Sequence, residues 1–100
     1  MPMTQITLMT AFDHIEQLIV NRYGGLSPKR LDQPGELPSD GPSAASHILW
    51  LVKTAKDSLS TGAYNREKLM RWLGFAQGWA WTTKQATIQD FRDANRPPEE

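Results

Sequence analysis

The chain has 100 residues, 39% of them hydrophobic, and its eleven basic and eleven acidic side chains leave no formal net charge. This length predicts a single domain over residues 1–100, and the neutral charge argues against a protein that binds nucleic acid by neutralising phosphates. Cysteine is absent, which excludes disulfides, thiolate nucleophiles and cysteine-based zinc sites within this sequence. The N-terminal stretch MPMTQITLMTAFDHIEQ lacks the features of a secretory signal, and no apolar run is long enough to span a bilayer. We therefore expect a cytoplasmic protein with no membrane partner.

Apolar residues that recur at three- and four-residue steps predict the first helix. Thr4 or Thr7 is expected to cap its start, and Gly24-Gly25 is expected to end it. Its apolar stripe consists of Leu8, Phe12, Ile15, Leu18, Ile19 and Tyr23. Residues 24–42 then contain four glycines and four prolines, which predicts a long irregular loop. This loop is either a crossover pinned by its leucines or a mobile functional loop.

Three further helices are predicted after the loop. The second is expected to begin with Ser43 as its N-cap and to end at Gly62; its stripe is Ala45, Ile48, Leu51, Val52, Ala55 and Leu59. Asn65 is expected to cap the third, which runs to about Thr83. A short fourth helix opens at Thr87 with a capping box, and residues 97–100 are expected to fray. The predicted fold is all-α, a small bundle of three main helices plus a short C-terminal one.

The third helix contains the stretch RWLGFAQGWAW, in which apolar residues occupy both sides. One side is expected to face the core and holds Leu69, Trp72, Leu73, Ala76, Ala80 and Thr83. The other side is predicted to be an interface and holds Met70, Gly74, Phe75, Gln77, Gly78, Trp79 and Trp81. Each mid-helix glycine costs roughly 1 kcal/mol relative to alanine, so we expect a close backbone approach to offset it. The approaching helix belongs either to the same chain or to a second subunit, most simply in a symmetric dimer, which we favour.

The sequence contains no recognisable catalytic constellation. His14 and His47 have no partner at metal-binding spacing, and Asp90 and Asp93 alternate with arginines, which is typical of a solvated helix face. No phosphate-binding glycine loop or nucleophile elbow occurs. We therefore predict a protein that is not an enzyme and has no metal or cofactor.

Positive charge is locally in excess near the start of the third helix. Residues 61–84 carry four basic side chains and only Glu67 as an acidic one. A candidate site for an anionic nucleotide consists of Tyr23, Lys29, Arg30, Tyr64, Arg66 and Arg71. The alternative is that these charges are solvated and pair with the acidic first and last helices.

The second half of the chain carries a pattern of aromatic, glycine and charged residues. It reads His47-x-x-Trp50, then Glu67-Lys68-x-x-Arg71-Trp72-Leu73-Gly74-Phe75-x-Gln77-Gly78-x-x-Trp81, then Thr87-Ile88 and Arg92-x-x-Asn95-Arg96. This pattern resembles small uncharacterised proteins of tailed phages and prophages of Gram-negative bacteria, and it covers residues 47–96. The resemblance implies an accessory protein in a bacterial host cell that acts by binding.

Three hypotheses follow from these observations. The leading one is a non-enzymatic phage accessory protein that inhibits a host or defence protein. The second is an oligomeric sponge that sequesters an anionic signalling nucleotide. The third is a small DNA-binding regulator with a helix-turn-helix formed by the second and third helices, against which the neutral charge argues.

Overall fold

The computed structural model describes residues 4–31 and 37–95, and its helices are α1 (Gln5–Tyr23), α2 (Gly41–Thr61), α3 (Arg66–Thr82) and α4 (Ile88–Ala94). No strand occurs in these two ranges, so the predicted all-α fold of three main helices and a short fourth is confirmed. The middle of the predicted loop, residues 32–36, and the predicted frayed tail, residues 97–100, lie outside the described residues. None of the four helices is both long and apolar enough to cross a membrane.

Three of the four helices begin where the capping residues predict. Thr4, Asn65 and Thr87 each accept a backbone hydrogen bond at the start of α1, α3 and α4. The Asp90 carboxylate accepts a hydrogen bond from the backbone N–H of Thr87 and so completes the predicted capping box. At the other end of α1, Gly24 adopts a φ of 75°, a conformation that side chains with a Cβ disfavour. These short-range signals therefore define most of the helix boundaries.

The start of α2 differs from the prediction. Asp40 is the N-cap, and its carboxylate accepts a 2.8 Å hydrogen bond from the backbone N–H of Ser43, the residue predicted to be the cap. Pro42 lies in the first turn, where its missing N–H costs no helical hydrogen bond and its fixed φ suits the helix. The irregular segment consequently ends at Asp40 rather than at Pro42. The hydrogen bonds from Ser43 hold the pKa of the Asp40 carboxyl below its usual value.

Helix α1 lies at the centre of the bundle, because it packs against each of the other three helices. It runs antiparallel to α2: Gln5 donates a side-chain hydrogen bond to the carbonyl of Leu59, and the Tyr23 hydroxyl lies beside Gly41. The buried core residues are Leu8, Ala11, Phe12, Ile15, Ile19, Ala45, Ile48, Leu49, Leu51, Val52, Ala55, Leu59, Leu69, Leu73, Ala76, Ala80 and Phe91. The periodic stripes thus predicted most of the core.

A lysine joins α1 to α2 on the outside of this core. The ammonium of Lys56 lies 2.7 Å from a carboxylate oxygen of Asp13 and 3.0 Å from one of Glu16. Burial on its own would lower the pKa of Lys56, but the hydrogen bonds that its ammonium donates to the two carboxylates outweigh burial and raise the pKa. This three-residue cluster fixes the pairing of the two helices in one register.

Trp72 packs against the core, on the side of α3 where it was predicted, but it is only partly buried. Its ring is half-buried, and its centre lies 5.8 Å from the centre of the Trp50 ring on α2. The ring therefore covers the edge of the core where α2 and α3 meet.

Candidate functional site

One side of α3 is left uncovered by the rest of the described chain, and we call it the open face. It consists of Met70, Gly74, Phe75, Gly78 and Trp81. The side chains of Met70, Phe75 and Trp81 are 43%, 58% and 54% exposed. A Cβ built on either glycine would have no other described part of the chain within 4 Å. A helix of the same chain therefore does not fill this groove, which removes one of the two alternatives for the described residues.

The two glycines form the floor of a shallow groove. At 100° per residue, Gly74 and Gly78 lie next to each other along the middle of the open face. Phe75 borders them on the α2 side, where its ring centre is 6.5 Å from that of His47. By the same spacing of 100° per residue, Met70 and Trp81 lie on the other side of the two glycines. The helix backbone is thus accessible between two apolar walls, and another helix can approach it more closely than it could approach a row of large side chains.

Two residues predicted for the interface, Gln77 and Trp79, make contacts within the chain. The Gln77 side-chain amide exchanges hydrogen bonds with that of Asn95, at 2.7 and 3.2 Å, next to the end of α4. Trp79 is half-buried and packs against the core beside α2. Both lie at the borders of the open face, because helical spacing turns their side chains toward α4 and α2 respectively.

A row of two indoles with a cation at each end lies on the surface where α2 and α3 meet. The guanidinium carbon of Arg30 is 4.8 Å from the centre of the Trp50 ring, and the ammonium of Lys68 is 4.9 Å from that of Trp72. The two indoles contact each other between these cations. Cation–π attraction holds such arrangements together. The spacing of Lys68 and Trp72, one helical turn apart, predicts half of the row, whereas the Arg30 contact depends on the path of the loop.

The six residues predicted to bind an anionic nucleotide are not brought together in one chain. Tyr23 lies at the start of α2, while Tyr64 and Arg66 follow its end. Because α2 has 21 residues, these two groups are about 30 Å apart. The remaining members are Lys29 and Arg30 in the segment after α1 and Arg71 on α3, all of them exposed. The sequence alone did not reveal this separation because it arises from the antiparallel course of the helices.

A pocket that the sequence did not predict opens between α2, α3 and the segment after α1. Its volume is about 250 Å³, and its walls include Leu31, Pro38, Ala44, His47, Phe75 and Trp79. The backbone N–H of Leu31 donates a 3.0 Å hydrogen bond to Nδ1 of His47. Ring stacking on Trp50, with centres 5.8 Å apart, holds the other side of the imidazole. We call this cavity the His47 pocket.

The second histidine lies on the far side of the molecule. His14 on α1 is half-buried, its ring edge meets Phe91 of α4 at 6.1 Å between centres, and no described group bonds to its buried Nδ1. Nearby Asp90 has a pKa below its usual value, first because Thr87 donates to its carboxylate. Within residues 4–31 and 37–95, no three histidine or acidic side chains are grouped so that they could hold a metal ion.

The chain matches no known family model, no curated protein and no solved structure. The surfaces of the molecule itself are therefore the main guide to its function. Of these, the open face of α3 combines the largest exposed apolar side chains with an accessible backbone, and it is the strongest candidate for a functional surface.

Proposed function

We propose that this protein acts by binding rather than by catalysis, and that it self-associates through the open face of α3. The observation that carries this proposal is the pair Gly74 and Gly78, which have open space above them and exposed apolar side chains on both sides. Mid-helix glycines weaken a helix, so a helix that places two of them at an exposed groove gains from a close neighbour there.

The second copy of the chain suits this groove in shape and chemistry. In a symmetric dimer, the same patch meets itself, so Phe75 of one α3 can pack against Met70 or Trp81 of the other across the two glycine floors. The open face is uncharged in its middle and end, and the nearest charged groups by helical spacing, Glu67 and Arg71, lie at its beginning. Contact between two such faces therefore buries mainly aromatic and methionine side chains.

Sedimentation velocity of the wild-type chain over a wide range of concentrations tests this assembly. The expected result is a reversible change from a single chain to a dimer as the concentration rises. A mass of one chain at every concentration would refute self-association.

We further propose that the assembled protein serves as a phage accessory protein in the bacterial host cytoplasm and inhibits a host or defence protein. The support is the resemblance of residues 47–96 to small phage and prophage proteins. The test is a purification from bacterial lysate with the wild type and with Gly74→Leu as matched baits. A partner in stoichiometric amount that depends on Gly74 supports the proposal, and no stoichiometric partner with the wild type counts against it.

One observation favours the alternative of a sponge for an anionic signalling nucleotide. The row of Arg30, Trp50, Trp72 and Lys68 presents cations and flat aromatic surfaces together, which are the groups that phosphates and bases bind. Calorimetry with cyclic dinucleotides and trinucleotides tests this alternative against Lys68→Ala and Trp72→Leu. The sponge hypothesis predicts heat that both variants reduce; the absence of heat with any of these compounds excludes it.

A further inference from the structure

The His47 pocket has the size of a site for a small organic molecule. An apolar cavity of about 150 Å³ can hold benzene, so a volume of about 250 Å³ accommodates an aromatic ring with a substituent. The pocket walls are almost entirely apolar, and two of them, Phe75 and Trp79, are aromatic rings. A flat apolar ligand can therefore pack against ring faces or edges on entering.

The imidazole of His47 in the wall is held in a defined hydrogen-bonding state. Nδ1 of His47 accepts the hydrogen bond from the Leu31 N–H, so in the neutral imidazole the ring proton resides on Nε2. No described residue forms a hydrogen bond with Nε2. The stacked Trp50 ring prevents the imidazole from turning freely. His47 lines the pocket, and its Nε2–H is the ring donor that the described residues leave available to a ligand.

We infer that the His47 pocket binds a small aromatic molecule that carries a hydrogen-bond acceptor, such as an aryl amide or an aryl carboxylate. The ring of the ligand occupies the space between Ala44, Phe75 and Trp79. Its acceptor receives the hydrogen bond from Nε2 of His47. A pocket with apolar walls and a single placed polar group is the usual form of a small-molecule site. This inference is independent of the proposed self-association, although Phe75 borders both the pocket and the open face.

The binding test uses benzamide, benzoate and toluene. Binding of each is detected by the shifts of backbone-amide and side-chain NMR signals of the full chain. Benzamide and benzoate carry an acceptor, and toluene has the same ring without one. The expected result is saturable shifts at Ala44 and Trp79, with benzamide bound about fivefold more tightly than toluene, as one neutral hydrogen bond provides. No saturable shift with any of the three probes, or equal affinity for benzamide and toluene, would overturn the inference.

Two variants locate the interaction. His47→Asn keeps a side-chain acceptor within reach of the Leu31 N–H but removes the Nε2 donor, so the preference for benzamide over toluene is expected to disappear. Ala44→Phe fills the cavity and is expected to abolish the binding of all three probes. The matched control is Ser60→Phe, an exposed position near the other end of α2, which should bind as the wild type does. Unchanged binding in Ala44→Phe would place the probes elsewhere and overturn the site.

A side chain from a second copy of the protein could also occupy the His47 pocket, and a dilution experiment distinguishes it from a free ligand. If the pocket takes a free molecule, dilution of the wild type without any probe leaves the signal of Ala44, which lies on α2 outside the open face, unchanged. A shift of that signal with protein concentration in the same direction as with benzamide would assign the pocket to the partner copy instead. Gly78→Leu serves as the second control: it alters the open face outside the pocket, and it is expected to retain benzamide binding.

Discussion

Gln77 of α3 and Asn95 at the end of α4 face each other amide to amide, and each donates one hydrogen bond to the other. The two bonds are 2.7 and 3.2 Å long and partly shielded from water. Helix α4 has only seven residues and otherwise packs on α1 through Phe91. This amide pair therefore fixes the short helix to α3 at its far end.

Replacement of Gln77 by alanine is expected to loosen α4 without changing self-association. The lost hydrogen bonds correspond to about 1 kcal/mol of unfolding free energy, and the amide protons of α4 should exchange faster with solvent. Hydrogen exchange and sedimentation measure the two effects, with Gln17→Ala on the exposed side of α1 as the control. If Gln77→Ala no longer forms the dimer while the amide protons of α4 stay protected from exchange, Gln77 belongs to the interface.

Leucine at Gly74 or Gly78 is expected to disrupt assembly more than leucine at Trp72 does. The new side chain enters open space in the single chain, but it blocks close approach of a second helix and costs about 1–3 kcal/mol of association free energy. Trp72→Leu removes the contact with Trp50 at the edge of the core and leaves the open face unchanged. Sedimentation of the three variants measures how far each one still forms the dimer. A dimer that persists in both Gly74→Leu and Gly78→Leu contradicts the predicted interface.

Alanine at Gly78 is expected to stabilise the isolated chain. The residue is in the middle of α3 with room for a Cβ, so its unfolding free energy should rise by about 1 kcal/mol. Gly62→Ala is the matched contrast, since Gly62 has a φ of 77° and a Cβ there strains the backbone. Urea unfolding at concentrations where the wild type is a single chain measures both variants. A stabilised Gly62→Ala or a destabilised Gly78→Ala would contradict the backbone argument.

Acid is expected to destabilise the fold through two helix caps. The pKa values of Asp40 and Asp90 are lowered in the folded state by hydrogen bonds from Ser43 and Thr87. Carboxylates with a lowered pKa stabilise the fold above their unfolded-state pKa, and this contribution is lost as the pH falls through the folded-state value. The thermal midpoint should therefore decrease below about pH 4.

The variant Asp40→Asn isolates one of these contributions. Asparagine also caps helices well, so stability at neutral pH should stay close to that of the wild type, while the decrease in the thermal midpoint in acid becomes smaller. Asp40→Ala removes the cap and should be less stable at every pH. An acid profile of Asp40→Asn identical to that of the wild type would show that Asp40 does not contribute to the pH dependence.

The sequence predicts those features that depend on neighbours within one or two helical turns. The stripes of α1 and α2, the caps Thr4, Asn65 and Thr87, and the exposure of Phe75 and Trp81 are of this kind. Asp40 was missed because Ser43 is an equally good cap by type, and the choice between them depends on where Pro42 fits.

Features that join distant parts of the chain were not predictable in the same way. The His47 pocket needs the Leu31 backbone to lie against α2, and no local pattern specifies that contact. The six residues predicted to bind a nucleotide do not form one cluster within a single chain, for a related reason. The charge or aromatic character of a residue does not indicate which end of a neighbouring helix it will lie beside. Gln77 fits the polar border of a helix as well as an interface, and only the position of Asn95 distinguishes the two.

The central position of α1 has a consequence for biosynthesis. The apolar side of α1 is covered in part by Phe91 of α4, which a ribosome adds only after the other three helices. Because α1 is synthesised before the other three helices, its apolar side chains stay exposed to chaperones and proteases until α4 has been made. Substitution of Phe91 should thus lower the cellular yield by prolonging this exposure.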